Sequence, residues 1–417
     1  MKILMLSTYD LNGGAAIATS RLMQALNKYG HEVKMLVANK TSNNTIVFQA
    51  STIFNNKAQK INLALEKGLF LLHEKNNEVR YQFSTAVIGF NIRQNALLKW
   101  ADVIHLHWTL QGFLSIREMA YLQTLGKPVV WTLHDMWAFT GGCHYSGDCD
   151  HFKRECGNCP YLKHPSSNDL SHKIYQKKKN YYKNYHFVTC SQWLGEVAKT
   201  STLLKGFGVE SIANPIDTNV FKPAENKNDL KLQLKLDPNK SYVLFGASSL
   251  KDKRKGLHYF LEAMKLYQQK TTDLPTIILY GSQNHDVNIE GFEIIHAGFL
   301  NESELIAYYQ VSDIYVITSL EDNLPNTVME AIACGLPVLS FDTGGIPQMV
   351  QHLESGYIAK YKSVEDICEG LDVLLNSSDL YQMSQNARNY CLDHFTEEII
   401  SQKYTETYNR LLNRFDK

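Results

Sequence analysis

Short apolar runs, several of them β-branched, alternate along the chain with longer segments in which apolar positions return every three or four residues. The first pattern reads as buried strands and the second as amphipathic helices, and their alternation predicts a parallel sheet covered on both faces. In the first half the strand-like runs are Lys2–Leu6, Glu32–Val37, Asp102–Leu106, Pro128–Leu133, His186–Cys190 and Val209–Ala213. Ala18, Leu22, Ala25 and Tyr29 repeat at helical spacing, which predicts a helix from Ala15 to about Tyr29, entered through Asn12-Gly13-Gly14 and stopped by Gly30. A second series of strands starts at Tyr242–Gly246 and continues through Thr276–Tyr280, Glu293–His296, Asp313–Thr318 and Pro337–Phe341.

The two series are separated by Asn214–Pro223 and the polar stretch Ala224–Lys240. Proline-bounded polar segments mark connections, so a domain boundary is expected near 215–240. The prediction is an α/β protein of two doubly wound domains, 1–215 and 216–394, facing across a cleft. Ligands of such sheets sit outside the carboxyl ends of the strands. A length of 417 residues and 44% apolar content are enough for two cores.

Charge narrows the choice of partner. Forty-two basic residues balance 42 acidic ones, so no global field favours nucleic acid and an anionic ligand has to be caught locally. The apolar start, Ile3–Leu6, is too short for a signal-peptide core, and no apolar run approaches the ~18 residues that span a bilayer, so a cytoplasmic protein is expected. Lys173–Lys183 carries five lysines and no acid, interleaved with tyrosines. It reads as a solvated helix face, with peripheral contact to an anionic membrane as the alternative.

Two segments suggest chemistry. After the strand ending near Thr318 comes a polar loop and then a helix that begins around Pro325–Asn326 and is stopped by Gly335 and Pro337. Asp322 in the loop and Glu330 in the helix place two carboxylates at one strand edge, where they suit hydroxyl-rich ligands, while first-turn amides suit phosphate. Upstream, Lys251-Asp-Lys-Arg254-Lys255-Gly256 follows the strand that starts at Tyr242 and offers four cations for a diphosphate. In the first half, His134 and Asp135 follow a buried-looking strand, where polar side chains reach a cleft. Cys143, Cys149, Cys156 and Cys159 form an insertion of about 141–160 with one tight pair and one loose pair. This matches zinc spacing in part, and a structural zinc is favoured over free thiols or disulfides.

In this order, Gly13-Gly14, Asn214–Pro223, Arg254-Lys255-Gly256, the carboxylate segment ending at Glu330 and Gly344-Gly345-Ile346-Pro347 resemble the family-4 retaining glycosyltransferases of GT-B fold. The cysteine-rich segment resembles an insertion of the polysaccharide-building subgroup, such as colanic-acid and capsule enzymes. The resemblance implies that Arg254 and Lys255 bind the diphosphate of a UDP-, GDP-, ADP- or dTDP-sugar and that Glu330 holds its ribose. The loop Asp322-Asn323-Leu324 would face the donor sugar, with Gly246, Asn326 and Thr327 lining the same site. His134 would be the active-site histidine, Gly13-Gly14 the turn facing donor and acceptor, and 395–417 a helix crossing back to the first domain. The family's usual first glutamate is Asp322 here, with Glu321 beside it, and its frequent arginine after the strand glycine is replaced by Ala247, so Arg254 takes that role.

The implied function is transfer of a sugar, with retention, to a saccharide acceptor, lipid-linked by analogy, in surface polysaccharide biosynthesis. No catalytic metal is expected, and no Asp-x-Asp stands beside the proposed diphosphate loop. The rivals are a nucleotide-sugar epimerase of the same fold and a non-catalytic saccharide-binding protein. A dinucleotide oxidoreductase is disfavoured because no G-x-G-x-x-G follows either first strand.

Overall fold

Strand β1 (Lys2–Tyr9) buries every residue from Ile3 to Thr8, which requires helices on both of its faces. The computed structural model describes residues 1–51, 57–282 and 287–415, and the chain divides into two compact units. Unit 1 is Met1–Pro215 together with the segment from Glu397, and unit 2 is Ile216–Thr396.

Unit 1 adds β2 (Glu32–Asn39), β3 (Val47–Gln49), β4 (Val103–Leu106), β5 (Val129–Leu133), β6 (Tyr185–Thr189) and β7 (Gly208–Ser211) to β1. All pairings are parallel, in the order β3-β2-β1-β4-β5-β6-β7. Chain order reverses between β1 and β4, so the crevice that opens at such a switch point lies beside Asp10–Gly14 and His107–Leu110. Three helices matter below: α1 (Gly14–Lys28), α2 (Lys57–Leu71) and α3 (Leu170–Tyr181).

Unit 2 holds β8 (Tyr242–Ser249), β9 (Thr276–Ser282), β10 (Ile294–Gly298), β11 (Ile314–Ile317), β12 (Val338–Phe341) and β13 (Gly356–Ala359). Their parallel order is β10-β9-β8-β11-β12-β13, which puts this switch point at the ends of β8 and β11. Its relevant helices are α4 (Leu257–Gln268), α5 (Glu302–Val311) and α6 (Asn326–Ala333). Helix α7 (Glu397–Phe415) returns to unit 1, where Ile400, Tyr404, Tyr408 and Leu411 share a core with Ile3, Met5, Leu22 and Val37.

The α/β class and the parallel sheets are as the pattern predicts. Strands β3 and β13 were not expected, because three or four residues at a sheet margin leave too short an apolar run to register. The lysine-rich stretch is only in part a solvated face. Lys178 is buried against the Trp137 ring, its Nζ donates to the carbonyls of Trp137 and Thr140, and burial lowers its pKa to about 7.

Candidate active site

In unit 2 the loops that leave β8 and β11 are stitched together. A tight turn, Lys253–Lys255, is opened by Asp252, whose side chain accepts from the Arg254 N–H. Gly256 ends that turn at φ 66°, and a β-carbon there would lie 2.0 Å from the Thr318 carbonyl oxygen. Glycine therefore supplies both the left-handed conformation and the space. Leu320 N–H donates to the Arg254 carbonyl at 2.7 Å, and Thr318 Oγ1 donates to the Gly256 carbonyl at 2.8 Å.

This backbone arrangement brings Lys255 Nζ to 2.6 Å from Asp322 Oδ2. Arg254 turns back on Asp252, Nη2 to Oδ2 at 2.7 Å. Burial raises the Asp252 pKa, but the bonds and charge of Arg254 outweigh it and hold the carboxyl below its usual value. A third loop, after β12, closes on the same place. Gly344, at φ 57°, leaves no room for a β-carbon, which would fall 1.7 Å from the Asp322 carbonyl oxygen, and Gly345 N–H donates to the Asn323 carbonyl.

Helix α6 starts behind Pro325 without a side-chain cap. One turn in, Glu330 is 5% exposed and accepts from Tyr309 OH at 3.1 Å. The Tyr309 hydroxyl lies 3.4 Å from that of Tyr280, which lies 3.5 Å from that of Tyr315, and Thr327 in turn hydrogen-bonds Tyr315. Burial raises all three tyrosine pKa values, so these phenols stay protonated, Tyr309 donates to Glu330, and Tyr280 and Tyr315 stand behind it. Asn323 and Leu324 are buried within the loop, while Glu321, Asn326 and Thr327 are half-buried. Gly246 has a packing reason, because a β-carbon there would sit 2.2 Å from the Tyr280 ring.

In unit 1 the first-helix turn is exposed, with Gly13 at φ 92° capping α1. At the end of β5, His134 Nε2 lies 3.1 Å from His107 Nδ1, and His134 Nδ1 lies 3.5 Å from Cys190 Sγ. His105 continues the row, held by Thr132 Oγ1 at 2.7 Å and by Tyr408 OH of α7 at 2.8 Å. Burial lowers the pKa of His134 to about 4 and of His105 to about 3, and drives His107 well below its usual value, so the row is neutral near pH 7. His107 Nε2 is buried without a partner.

Beside the row, Asp135 accepts from Trp108 Nε1, from the Trp137 N–H and, at 2.6 Å, from His144 Nδ1, whose Nε2 lies 3.0 Å from Ser84 Oγ. Burial opposes ionisation of Asp135, yet His144 and these donors together hold its pKa below the ordinary value. Ser84, His144 and Asp135 are connected like a hydrolase relay, but Ser84 is 1% exposed, so no substrate reaches its hydroxyl. The relay instead aims the Asp135 carboxylate.

Cys143, Cys149, Cys156 and Cys159 line one cavity of about 20 Å³ with Phe83, Phe152 and Tyr161. Burial pushes the thiols of Cys143, Cys156 and Cys159 up, Cys156 to about 12 and Cys159 to about 11, and none of the four cysteines forms a disulfide among the described residues. Among the described residues no group of three or more His, Cys, Asp or Glu is arranged to hold a metal ion. The four cysteines of the expected zinc set thus share one pocket, where the insertion joins the unit 1 core through Phe152, Cys159 and Leu162.

A sequence model of glycosyltransferase family 4 matches residues 12–220, half of the chain. The chain belongs to glycosyltransferase family 4. A second model, glycosyl transferases group 1, matches 227–390 and so covers the whole unit 2 site. This family-4 chain is 26% identical over 198 residues, 46% of its length and 50% of the relative, to N,N'-diacetylbacillosaminyl-diphospho-undecaprenol alpha-1,3-N-acetylgalactosaminyltransferase of Campylobacter jejuni. It is 24% identical over 243 residues, 54% of its length and 61% of the relative, to the capsular polysaccharide biosynthesis glycosyltransferase CapM of Staphylococcus aureus. The chain spans about half the length of the curated relatives it matches. Sucrose-phosphate synthase of Thermosynechococcus elongatus shares the fold, with TM-score 0.66 at 16% identity over 99% of this chain and 100% of that one.

In this glycosyltransferase-family chain, unit 2 brings together Arg254, Lys255, Asp322, Asn323 and Glu330 from two separate loops and a helix. Sequence reasoning missed Tyr280, Tyr309 and Tyr315, which come from β9, α5 and β11 and show no common spacing. It also missed the contribution of His144, Ser84 and Trp108 to Asp135. A signal existed for His144, which lies inside the cysteine-rich segment that the sequence sets apart.

Proposed function

We propose that this protein transfers a sugar, with retention of anomeric configuration, from a nucleoside diphosphate sugar to a hydroxyl of a saccharide carried on a lipid diphosphate, in surface polysaccharide assembly. The observation that carries the reading is the Lys255–Asp322 pair, in the loop that leads through Pro325 into α6 with its buried Glu330, at the switch point of unit 2. Membership of family 4 supports the reaction class, and the Campylobacter and Staphylococcus relatives support the lipid carrier and the polysaccharide.

In this reading a donor diphosphate displaces Asp322 from Lys255, Arg254 swings from Asp252 to the phosphates, and Glu330 accepts hydrogen bonds from the ribose hydroxyls. As the anomeric bond breaks, negative charge grows on the leaving phosphate, and Lys255, Arg254 and the first-turn amides of α6 meet it, which lowers the barrier rather than only tightening binding. In unit 1, His134 and Asp135 after β5 are the polar groups proposed for the acceptor side. The leaving phosphate takes the acceptor's proton.

The test is thermal-shift screening against UDP-, GDP-, ADP- and dTDP-sugars, followed by calorimetry and turnover with the responding donor. Ligand at a hundred times its dissociation constant stabilises by about 2.7 kcal/mol. Lys255→Ala is expected to lower kcat/KM by about a hundredfold, the usual scale for losing one charge-stabilising group. Unchanged nucleoside diphosphate affinity and unchanged kcat/KM in Lys255→Ala would remove the reading, and sugar interconversion without an acceptor would replace it with an epimerase.

A further inference from the structure

Helix α2 is built inside out. A surface helix ordinarily turns its apolar stripe to the core and its charges to water. The buried face of α2 instead carries Gln59, Glu66 and Lys67 beside Phe70. Each of these polar side chains finds a partner in the fold, Glu66 through one oxygen only. Gln59 Nε2 donates to the Gln111 carbonyl at 2.8 Å and to Tyr9 OH at 3.2 Å. Glu66 Oε1 accepts from the N–H groups of Thr85 and Ala86 at 2.9 and 2.8 Å, and Lys67 Nζ donates to the Arg80 and Phe83 carbonyls at 2.7 and 3.0 Å.

The outer face is apolar. Ile61, Leu65 and Leu69 are 54%, 54% and 49% exposed, Leu71 ends the helix at 51%, and Leu72 follows at 74%. The first three are four residues apart and so form one stripe, which Leu72 extends. Single exposed leucines are ordinary, but a contiguous row marks a surface that something covers.

Charge identifies the partner. Lys57, Lys60, His73 and Lys75 are exposed around the row, whereas both acids of 57–75, Glu66 and Glu74, are buried. A second copy of the chain would set these lysines against themselves. An anionic bilayer satisfies both features, since leucines enter the boundary between headgroups and acyl chains while lysines reach the phosphates. Helix α2 also sits in a useful place. Its bonds to Tyr9, at the end of β1, and to Gln111 and Gly112, beyond β4, fasten it to the carboxyl rim of the unit 1 sheet. The lysine-rich α3, the alternative suggested by sequence, has Lys178 buried and Lys179 paired with Glu155.

We infer that α2 is an in-plane docking helix that seats the carboxyl rim of unit 1 on an anionic lipid bilayer. For its purpose, the delivery of that rim to a membrane-carried acceptor, this rests on the proposed function, while the docking itself stands on α2. The test is co-sedimentation of the full chain with vesicles of phosphatidylglycerol and phosphatidylcholine in equal parts, and with phosphatidylcholine alone, alongside calorimetry with the responding nucleotide.

The wild type is expected to sediment with the anionic vesicles, and Leu65→Ser/Leu69→Ser to partition at least about tenfold less, since removing two buried leucines from an apolar phase is worth at least that. Lys57→Glu/Lys60→Glu should lose the preference for anionic vesicles, and Leu65→Trp should show fluorescence quenched by brominated lipid beyond that of wild type. Equal partitioning of wild type and Leu65→Ser/Leu69→Ser overturns the inference. So does a wild-type dimer in solution that the double substitution dissolves without any vesicle binding. Nucleotide binding without vesicle binding defeats the docking alone, and vesicle binding without nucleotide binding defeats the proposed function alone.

Discussion

Gly256 decides how the loops after β8 and β11 of unit 2 meet. Its φ of 66° and the 2.0 Å that would separate a β-carbon from the Thr318 carbonyl make any side chain costly twice over. Gly256→Ala should therefore destabilise unit 2 by about 2–4 kcal/mol, combining left-handed strain with a displaced backbone, as measured by denaturant unfolding. A loss under about 0.5 kcal/mol would mean that the loop shifts freely. Asp322 makes a different prediction. Its carboxylate holds Lys255 at 2.6 Å and, under the proposed function, gives way to a diphosphate, so Asp322→Asn should bind nucleoside diphosphate several-fold more tightly in calorimetry while turning over more slowly. Weaker nucleotide binding by this variant would show that Asp322 assists the phosphates rather than competing with them. The types of these residues were legible in the chain, because a basic turn ending in glycine and a carboxylate before a helix are local patterns. The tyrosines that brace Glu330 were not, because Tyr280, Tyr309 and Tyr315 meet only when β9, α5 and β11 pack.

Elements carry what single residues cannot, as β4, β5 and α7 show. His105 and His107 on and after β4, and His134 after β5, form the neutral row, and α7 completes it by placing Tyr408 on His105. The sign of the pH dependence follows from the depressed values. In the unfolded chain these imidazoles titrate near 6.5, while in the folded unit His134 resists protonation to about 4 and His105 to about 3. As pH falls below about 6.5 the unfolded chain takes up protons that the folded unit refuses. Their stabilising contribution is thus complete above that pH and drains away toward pH 4, by an amount on the order of 3 kcal/mol for His134 alone. All five tryptophans lie between Trp100 and Trp193, so tryptophan fluorescence reports unit 1 by itself. Melts followed this way should shift markedly downward between about pH 7 and pH 5, and a flat profile would show that the row accepts protons in place. Strand alternation made β4 and β5 readable. The pairing of their histidines with a helix some three hundred positions later was beyond any local pattern.

At the scale of the whole molecule, the described residues form two parallel sheets of seven and six strands that each reverse their order once, and each reversal puts its candidate residues at the carboxyl ends. What the amino-acid sequence determined by itself was what depends on neighbours along the chain. Apolar period set the strands and helices, glycine and proline set the turns, and the order of motifs carried the family. Tertiary structure alone decided which polar groups end up buried together. Burial turns His105, His107 and His134 into neutral imidazoles, leaves Asp135 charged among its donors, and raises the pKa of Cys143, Cys156 and Cys159. It also decided which face of α2 meets water, since Glu66 and Lys67 find partners in the fold that their neighbours in sequence do not announce. The physical reason is common to both. The cost of removing a charge or a hydrogen-bonding group from water depends on what surrounds it in space, and only the folded chain fixes that surrounding.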